Sequence, residues 1–356
     1  MINIARGNLL KANTQALVNT VNTEGVMGKG IALQFKQAFP SMYRDYNSAA
    51  KAGNVVLGKM HVVDLGALAE GPQWIINFPT KKHWKSKSRI SDIEAGLVDL
   101  VETIKKLGIA SIAVPPLGCG YGGLDWKDVR PLIEQAFSAL PEVDVQLYAP
   151  DGAPEAASMP TRTPRPPMTE GRASLLALMK RYQAGLLDPF VSLLEVHKLM
   201  YFLQEAGQPL RLRYSEGFYG PYAKNLRQVL ITLEGHYISG YGAGEDNPQK
   251  PLTLLDRSAE LAELRIAEDP ITSSRMDRVQ RLIEGYEDAY GLELLSSVHW
   301  VMCRSKDAML DVESAIAEVQ HWNPRKAALL KPDHLRIAWK RLHDQKWATE
   351  SLSSIH

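Results

Sequence analysis

Short β-branched runs alternate with longer amphipathic stretches along the first 150 residues. The runs predict strands at Ile2–Ala5, Ala16–Val21, Lys59–Leu65, Trp74–Phe78, Ile109–Val114 and Val143–Tyr148. The amphipathic stretches predict helices at Gly30–Ala38, Met42–Ala52, Ile90–Leu107 and Asp125–Leu140. Strands interleaved with helices predict an α/β domain, a largely parallel or mixed sheet flanked by helices.

The pattern breaks at residues 150–168, PDGAPEAASMPTRTPRPPM, where six prolines and several small residues leave no apolar periodicity. Proline fixes φ and removes a donor, so this stretch reads as an extended linker. We therefore expect domains at 1–150 and 169–356, joined by a linker at 151–168. Beyond it the period turns helical. Leu193, Val196, Leu199, Met200 and Leu203 mark one buried face of a helix over Leu186–Ala206. Further helices are expected at Pro221–Leu233, Arg257–Ala267, Met276–Ala289, Leu292–Cys303, Val312–Val319 and Pro332–Gln345. Strands are expected only at Leu210–Tyr214 and Tyr237–Tyr241. The second domain should be mainly α, with a winged-helix-like element around the tight FYGPYA loop at 218–223.

Length and composition fit this picture. The 356 residues allow two domains at ~100–200 residues each, and 45% apolar content supports two cores. The net charge of +1 gives no global attraction to nucleic acid. Residues 1–150 hold 16 Lys/Arg against 13 Asp/Glu, so the first half is the mildly basic one. Cys119 and Cys303 stand far apart with no metal-type spacing to a histidine, which argues against a disulfide framework or a zinc site. There is no signal-peptide pattern and no membrane-length apolar run, so a soluble cytoplasmic protein without cofactor is expected.

Two glycine loops carry the chemistry. VNTVNTEGVMGKGIALQF (18–35) leads from a strand through Asn19, Asn22, Gly25, Gly28, Lys29 and Gly30 into a helix beginning near Ile31 and Ala32. PPLGCGYGGLDW (115–126) repeats the arrangement with Leu117, Gly118, Cys119, Gly120, Tyr121 and Gly122. Glycine-rich backbone feeding a helix start presents N–H groups to an anion, and two such loops in one domain suit a diphosphate. Residues 118–123 also fit G-x-G-x-x-G. However, Asp144 precedes the next strand instead of ending it, which disfavours a nicotinamide oxidoreductase. No G-x-x-x-x-G-K-[ST] is present, which argues against a P-loop nucleotidase.

The order GNLL (7–10), ALVNTVNTEGVMGKGIALQF (16–35), NFPTKKHW (77–84) and PPLGCGYGGLDW (115–126) resembles the macrodomain family. Within it, the chain is similar to the branch holding the terminal ADP-ribose glycohydrolases and the DarG antitoxins. The resemblance implies that residues 1–150 bind ADP-ribose. Asn22 then contacts the distal ribose, Gly28–Ala32 form the first phosphate loop, and Gly118–Gly122 form the second. Asn8 stands where many macrodomains carry an aspartate that reads the adenine amine. Thr80 and Lys81 lie in the segment on which this branch relies for glycosidic cleavage, with Lys81 as the matching lysine. A lysine there can attack the ring-opened sugar or stabilise charge as the base leaves. Lys82, His83, Trp84 and Lys85 follow, a basic and aromatic run that can meet DNA phosphates and stack on a base. The acidic residue that protein-directed relatives carry in the second loop is matched here by Gly122, and Asp125 is expected to cap the next helix.

The second domain resembles the part of DarG that neutralises a DarT-like toxin, a transferase that ADP-ribosylates thymidine in DNA. His197, His236, His299 and His321 show no ligand spacing. The resemblance thus implies an antitoxin that removes ADP-ribose from thymidine in single-stranded DNA by N-glycosidic hydrolysis and also sequesters the toxin. The alternatives are a non-catalytic ADP-ribose reader and a hydrolase of ADP-ribosylated protein.

Overall fold

The computed structural model describes residues 1–66, 71–150, 159–185, 190–242 and 246–348. It divides into two compact units, one built from Met1–Arg165 and the other from Pro166–Tyr241 and the chain from Asp246 on. Residues 151–158 of the expected linker lie outside the described residues. The remainder, 159–169, has no helix or strand. It is nonetheless tied down at both ends, with Arg162 N donating to Gln37 O (2.9 Å) and Tyr237 Oη to Pro166 O (2.7 Å).

The first unit runs β1 (Ile2–Ala5), β2 (Ala16–Asn22), α1 (Gly30–Ala38), α2 (Pro40–Lys51), β3 (His61–Asp64), β4 (Trp74–Lys81), α3 (Ile90–Leu107), β5 (Ser111–Val114), α4 (Trp126–Phe137) and β6 (Asp144–Tyr148). The six strands form one sheet in the order β1-β6-β5-β2-β4-β3, parallel throughout except for β3 against β4. The mixed sheet follows from helical crossovers, which only parallel neighbours require. One face packs Val18, Ile76 and Phe78 against Ile93, Leu97 and Leu100 of α3 and Val129 and Ile133 of α4. The other packs Leu17, Val21 and Ile75 against Phe35 of α1 and Met42 and Tyr46 of α2. Strands buried on both faces read as continuous apolar runs, as β2 and β4 do.

Several helix ends are legible in chemistry. Asp125 caps α4, its side chain accepting from Lys127 N at 3.0 Å, and α3 ends on Gly108 at φ +63°. β4 runs three residues beyond its expected end at Phe78, which carries the strand up to Lys81.

The second unit contains α5 (Glu170–Gln183), β7 (Val191–Ser192), α6 (Leu193–Glu205), β8 (Tyr214–Gly217), β9 (Gly220–Ala223), α7 (Leu226–Leu233), β10 (Ile238–Ser239) and β11 (Pro251–Leu254). It continues with α8 (Ser258–Ala267), α9 (Pro270–Ile283), α10 (Ala289–Met302), α11 (Lys306–Leu310), α12 (Val312–Trp322), α13 (Pro324–Leu329) and α14 (Pro332–Asp344). It is mainly helical, and the departures from expectation have physical causes. Helix α5 was not expected because Ala173–Met179 is buried on every side and shows no periodic face. The expected helix over Leu186–Ala206 begins only at Leu193, where Ser192 and Glu195 form a capping box; 186–189 lie outside the described residues. Residues 210–213 are not a strand. The Gln204 and Asn225 side-chain amides bond Leu212, Arg213 and Arg211 in place of a neighbouring strand, and Arg211 turns left-handed at φ +59°. Phe218 and Tyr219 form the turn of the β8–β9 hairpin, Gly220–Ala223 is strand, and the expected helix starts only at Leu226. The helix expected at Met276–Ala289 stops at Ile283, before Gly285 at φ +82°.

Beneath this hairpin lies a buried charge cluster. Lys326 Nζ donates to Glu293 Oε1 and Ser297 Oγ at 2.8 Å each, while Arg325 reaches the same carboxylate oxygen at 2.6 Å. Burial would push Glu293 up, but the two cations hold it below the usual carboxylate range. Lys198, also buried, is lowered to about 7 by desolvation and donates to Pro221 O at 2.8 Å. Among the described residues, no helix is long and apolar enough to cross a membrane.

Gly96 lets α3 sit directly on the sheet, since a Cβ there would lie 2.2 Å from the Phe78 ring. Gly96→Ala is expected to destabilise the first unit by about 1–3 kcal/mol through overpacking, read from denaturant midpoints.

Candidate active site

The sheet delivers β2 and β4 side by side, and their carboxyl ends carry the candidate residues. Near its end β2 slips register, so that Val21 pairs with Pro79 but Asn22 with Lys81. The turn after β2 is then locked to the segment after β4. Thr23 N donates to Lys81 O (3.2 Å) and Lys82 O (3.1 Å), and Thr23 Oγ to Lys82 O (3.1 Å).

Asn22 organises the first loop. Its Oδ1 accepts from Glu24 N (3.0 Å) and Val26 N (3.2 Å), and its Nδ2 donates to Val26 O (2.6 Å). Tyr46 from α2 fixes the same residue by donating to Asn22 O at 2.5 Å. The loop runs on through Gly28 and Lys29 into α1, which has no side-chain cap at its start, and Gly30 adopts φ +59°. Backbone N–H groups of a helix's first turn lack intrahelical partners. Gly30, Ile31 and Ala32 occupy that first turn, at the kind of helix end that accepts anions.

The second loop lies across from the first. Gly118 (φ +72°) accepts from Leu124 N (3.1 Å), and Gly120 O accepts from Gly123 N (3.0 Å). Tyr121 is 54% exposed and reaches the first loop: the Lys29 ammonium lies 5.8 Å from its ring centroid, and a Cβ on Gly30 would be 3.2 Å from the ring. Lys81 joins the two loops, its Nζ donating to Tyr121 O at 3.2 Å, and burial holds its amine below the ordinary lysine range. Cys119 is half-buried in the same loop. Its thiol is pushed up to about 11 by burial and by Asp125.

Gly122 has no room for a side chain. A Cβ would stand 2.3 Å from Gly118 O and 2.4 Å from Ser88 Oγ. Ser88, which the sequence did not single out, supports the loop by donating its N–H to Gly122 O at 2.9 Å.

The basic run after Lys81 is ordered. Lys85 N donates to His83 Nδ1 (3.0 Å), His83 stacks on Trp84 with centroids 5.5 Å apart, and the Lys85 ammonium lies 4.9 Å from the Trp84 centroid. Trp84 is 48% exposed.

Some expected contact residues lie underneath the site. Asn19 is fully buried and donates to Asn77 Oδ1 (2.9 Å); Asn77 in turn meets His61 Nδ1 (3.2 Å), whose Nε2 lies 3.3 Å from Asp45. Thr80 is buried with Oγ donating to Val21 O (3.3 Å), and Leu117 is in the core. Asn8 spends its Oδ1 capping the short turn Leu9–Lys11, by accepting from Leu10 N at 3.0 Å.

In the second unit, His299 does have a ligand-type neighbour, contrary to expectation: it lies one helical turn from Cys303, and Glu205 joins them with donor atoms within 4.8 Å. Both His299 ring nitrogens are engaged, however, by Tyr201 Oη (2.7 Å) and Trp347 O (3.1 Å), among edge-on aromatics. That histidine is a core group.

The Macro domain family model matches residues 18–133. The DNA ADP-ribosyl glycohydrolase of Mycobacterium tuberculosis is 44% identical over 354 residues, spanning 96% of this chain and 99% of that protein. The chain belongs to the DNA ADP-ribosyl glycohydrolase family. It is therefore a hydrolase with a macrodomain at its amino-terminal side. A DNA ADP-ribosyl transferase–DNA ADP-ribosyl glycohydrolase fusion protein of Thermosipho africanus is 39% identical over 163 residues, 42% of each chain. Among solved structures, the macrodomain of Mycobacterium tuberculosis DarG is 57% identical and covers 42% of this chain and 99% of its own, with a TM-score of 0.42.

Gly122→Asp is expected to lower the thermal midpoint by forcing Gly118 and Ser88 apart, at a cost of about 1–3 kcal/mol. It should raise no activity. A variant as stable as wild type would contradict this packing.

Proposed function

We propose that the protein hydrolyses the N-glycosidic bond between ADP-ribose and thymidine in single-stranded DNA. One observation carries the reading: a half-buried lysine, held between two glycine loops, with its ammonium destabilised by burial. A pure reader needs the loops but has no use for such a lysine.

In this reading the diphosphate lies between Gly28–Ala32 and Gly118–Gly122, with Asn22 against the distal ribose. Lys81 supplies positive charge and a proton to the departing base nitrogen. Burial makes its ammonium a stronger acid, which suits that transfer. Lys82 and Lys85 meet phosphates while His83 and Trp84 offer a stacking surface to the extruded strand. The lack of space for an acid at Gly122 disfavours the protein-directed alternative.

The second unit is assigned the sequestering of a DarT-like transferase, and the protein the cytoplasm, where such a substrate resides. The fusion of transferase and glycohydrolase in the Thermosipho relative supports the pairing. Co-purification of the full chain with its transferase checks this; no association at micromolar concentration would refute it.

The full chain incubated with an ADP-ribosylated single-stranded oligonucleotide should release free ADP-ribose. Lys81→Ala should slow release by about 10²–10⁴-fold. Because the protonated lysine acts, the rate should fall as pH rises through its lowered pKa, below the ordinary lysine value of about 10.4. Binding of ADP-ribose without any release by wild type would leave only the reader.

A further inference from the structure

A base that activates water complements an acid that protonates the leaving group, and at Gly122 the second loop has no room for a side chain. Across Asn22–Ala32, Lys81–Arg89 and Pro115–Leu124 the sequence holds a single carboxylate, Glu24. The nearby acids are otherwise committed. Asp125 caps α4 and pairs with Lys127 (3.2 Å), and Asp45 faces His61.

The backbone of Glu24 is fixed to both candidate catalytic residues. Asn22 Oδ1 accepts its N–H, and Thr23, between them, is bonded to the carbonyls of Lys81 and Lys82. Its side chain is 44% exposed, with Oε2 3.6 Å from His83 Nε2. His83 is itself oriented. Its Nδ1 accepts from Lys85 N, so in the neutral ring the proton sits on Nε2, the nitrogen 3.6 Å from the carboxylate. Glu24 also acts electrostatically on Tyr46 from α2, whose hydroxyl donates to Asn22 O.

We infer that Glu24, oriented by His83, is the carboxylate that activates water for the glycosidic step. This rests on the glycohydrolase reading above. The carboxylate takes a proton from water as the water oxygen bonds to the anomeric carbon. The bond from that carbon to the base nitrogen breaks, its electron pair leaves on the nitrogen, and the nitrogen takes a proton from Lys81. ADP-ribose and the unmodified base are the products. No oxidant or reductant is consumed. His83 acts through Glu24 and is a positioning residue.

The test compares full-length wild type, Glu24→Gln, Glu24→Asp, His83→Gln and Lys81→Ala on an oligonucleotide carrying one ADP-ribosylated thymidine. Turnover is read across pH, with ADP-ribose affinity read separately by calorimetry. Glu24→Gln should lose about 10²-fold or more in kcat, keep its ADP-ribose affinity and lose the acidic limb of the pH–rate profile. Glu24→Asp should restore part of the rate. His83→Gln should lower kcat by a smaller factor while leaving ADP-ribose affinity unchanged. If Lys81→Ala is inactive while Glu24→Gln keeps the wild-type rate and pH profile, this inference alone falls. It falls equally if Glu24→Gln loses rate and affinity in step, which marks a structural role. If wild type releases no ADP-ribose, the underlying reading fails first.

Discussion

The site depends on one tie, the lock between the ends of β2 and β4. Parallel strands bring residues to a common edge, but the pairing alone leaves the following loops unconstrained. Here the register slip at Val21/Asn22 and the bonds from Thr23 to Lys81 and Lys82 extend the ladder past the sheet. Asn22, Glu24, Lys81 and His83 then share a single frame. Tyr46 holds the same frame from below through Asn22 O. Reaction rates are sensitive to displacements of about 1 Å, so a frame built on backbone bonds is worth more than one built on exposed side chains.

Glycine serves here as a steric requirement more than as a source of flexibility. Gly122 is compelled by Gly118 O and Ser88, and Gly30 by the Tyr121 ring and its own left-handed φ. The crowding at Gly122 leaves no room there for a carboxylate. Acid–base chemistry is thereby moved to the first loop, where Glu24 has exposure and a partner. The two loops also approach each other through Lys29, Tyr121 and Lys81.

The second unit solves a different problem with the same economy. Burying Lys326 and Glu293 costs several kcal/mol per ion unless the charges are paired and their remaining valences bonded. Arg325 and Ser297 complete that set. Lys198, lowered toward neutrality by burial, supplies one donor to the hairpin carbonyl at Pro221. The hairpin is thereby held at Pro221, and Phe218, 57% exposed, is carried on its turn.

Periodicity alone placed β1, α1 and α3 to the residue, because each has a strong pattern and a clear terminus, such as Gly108 after α3. The glycine loops and Lys81 were visible as residue types in order along the chain. What the chain could not reveal was which partner a polar group would choose. Asn19 and Asn22 look alike in the sequence, yet one is sealed in the core with Asn77 and the other builds the loop. Strand pairing lost to the side-chain amides of Gln204 and Asn225, and α5 went unseen because it is buried all round. Local pattern determined the elements and the chemistry available, because periodicity and turn preference act over a few residues. The tertiary structure decided the occupancy of Gly122, the lysine's carbonyl partner and the placement of Glu24, because each is set by atoms tens of residues apart that only the closed sheet brings into contact.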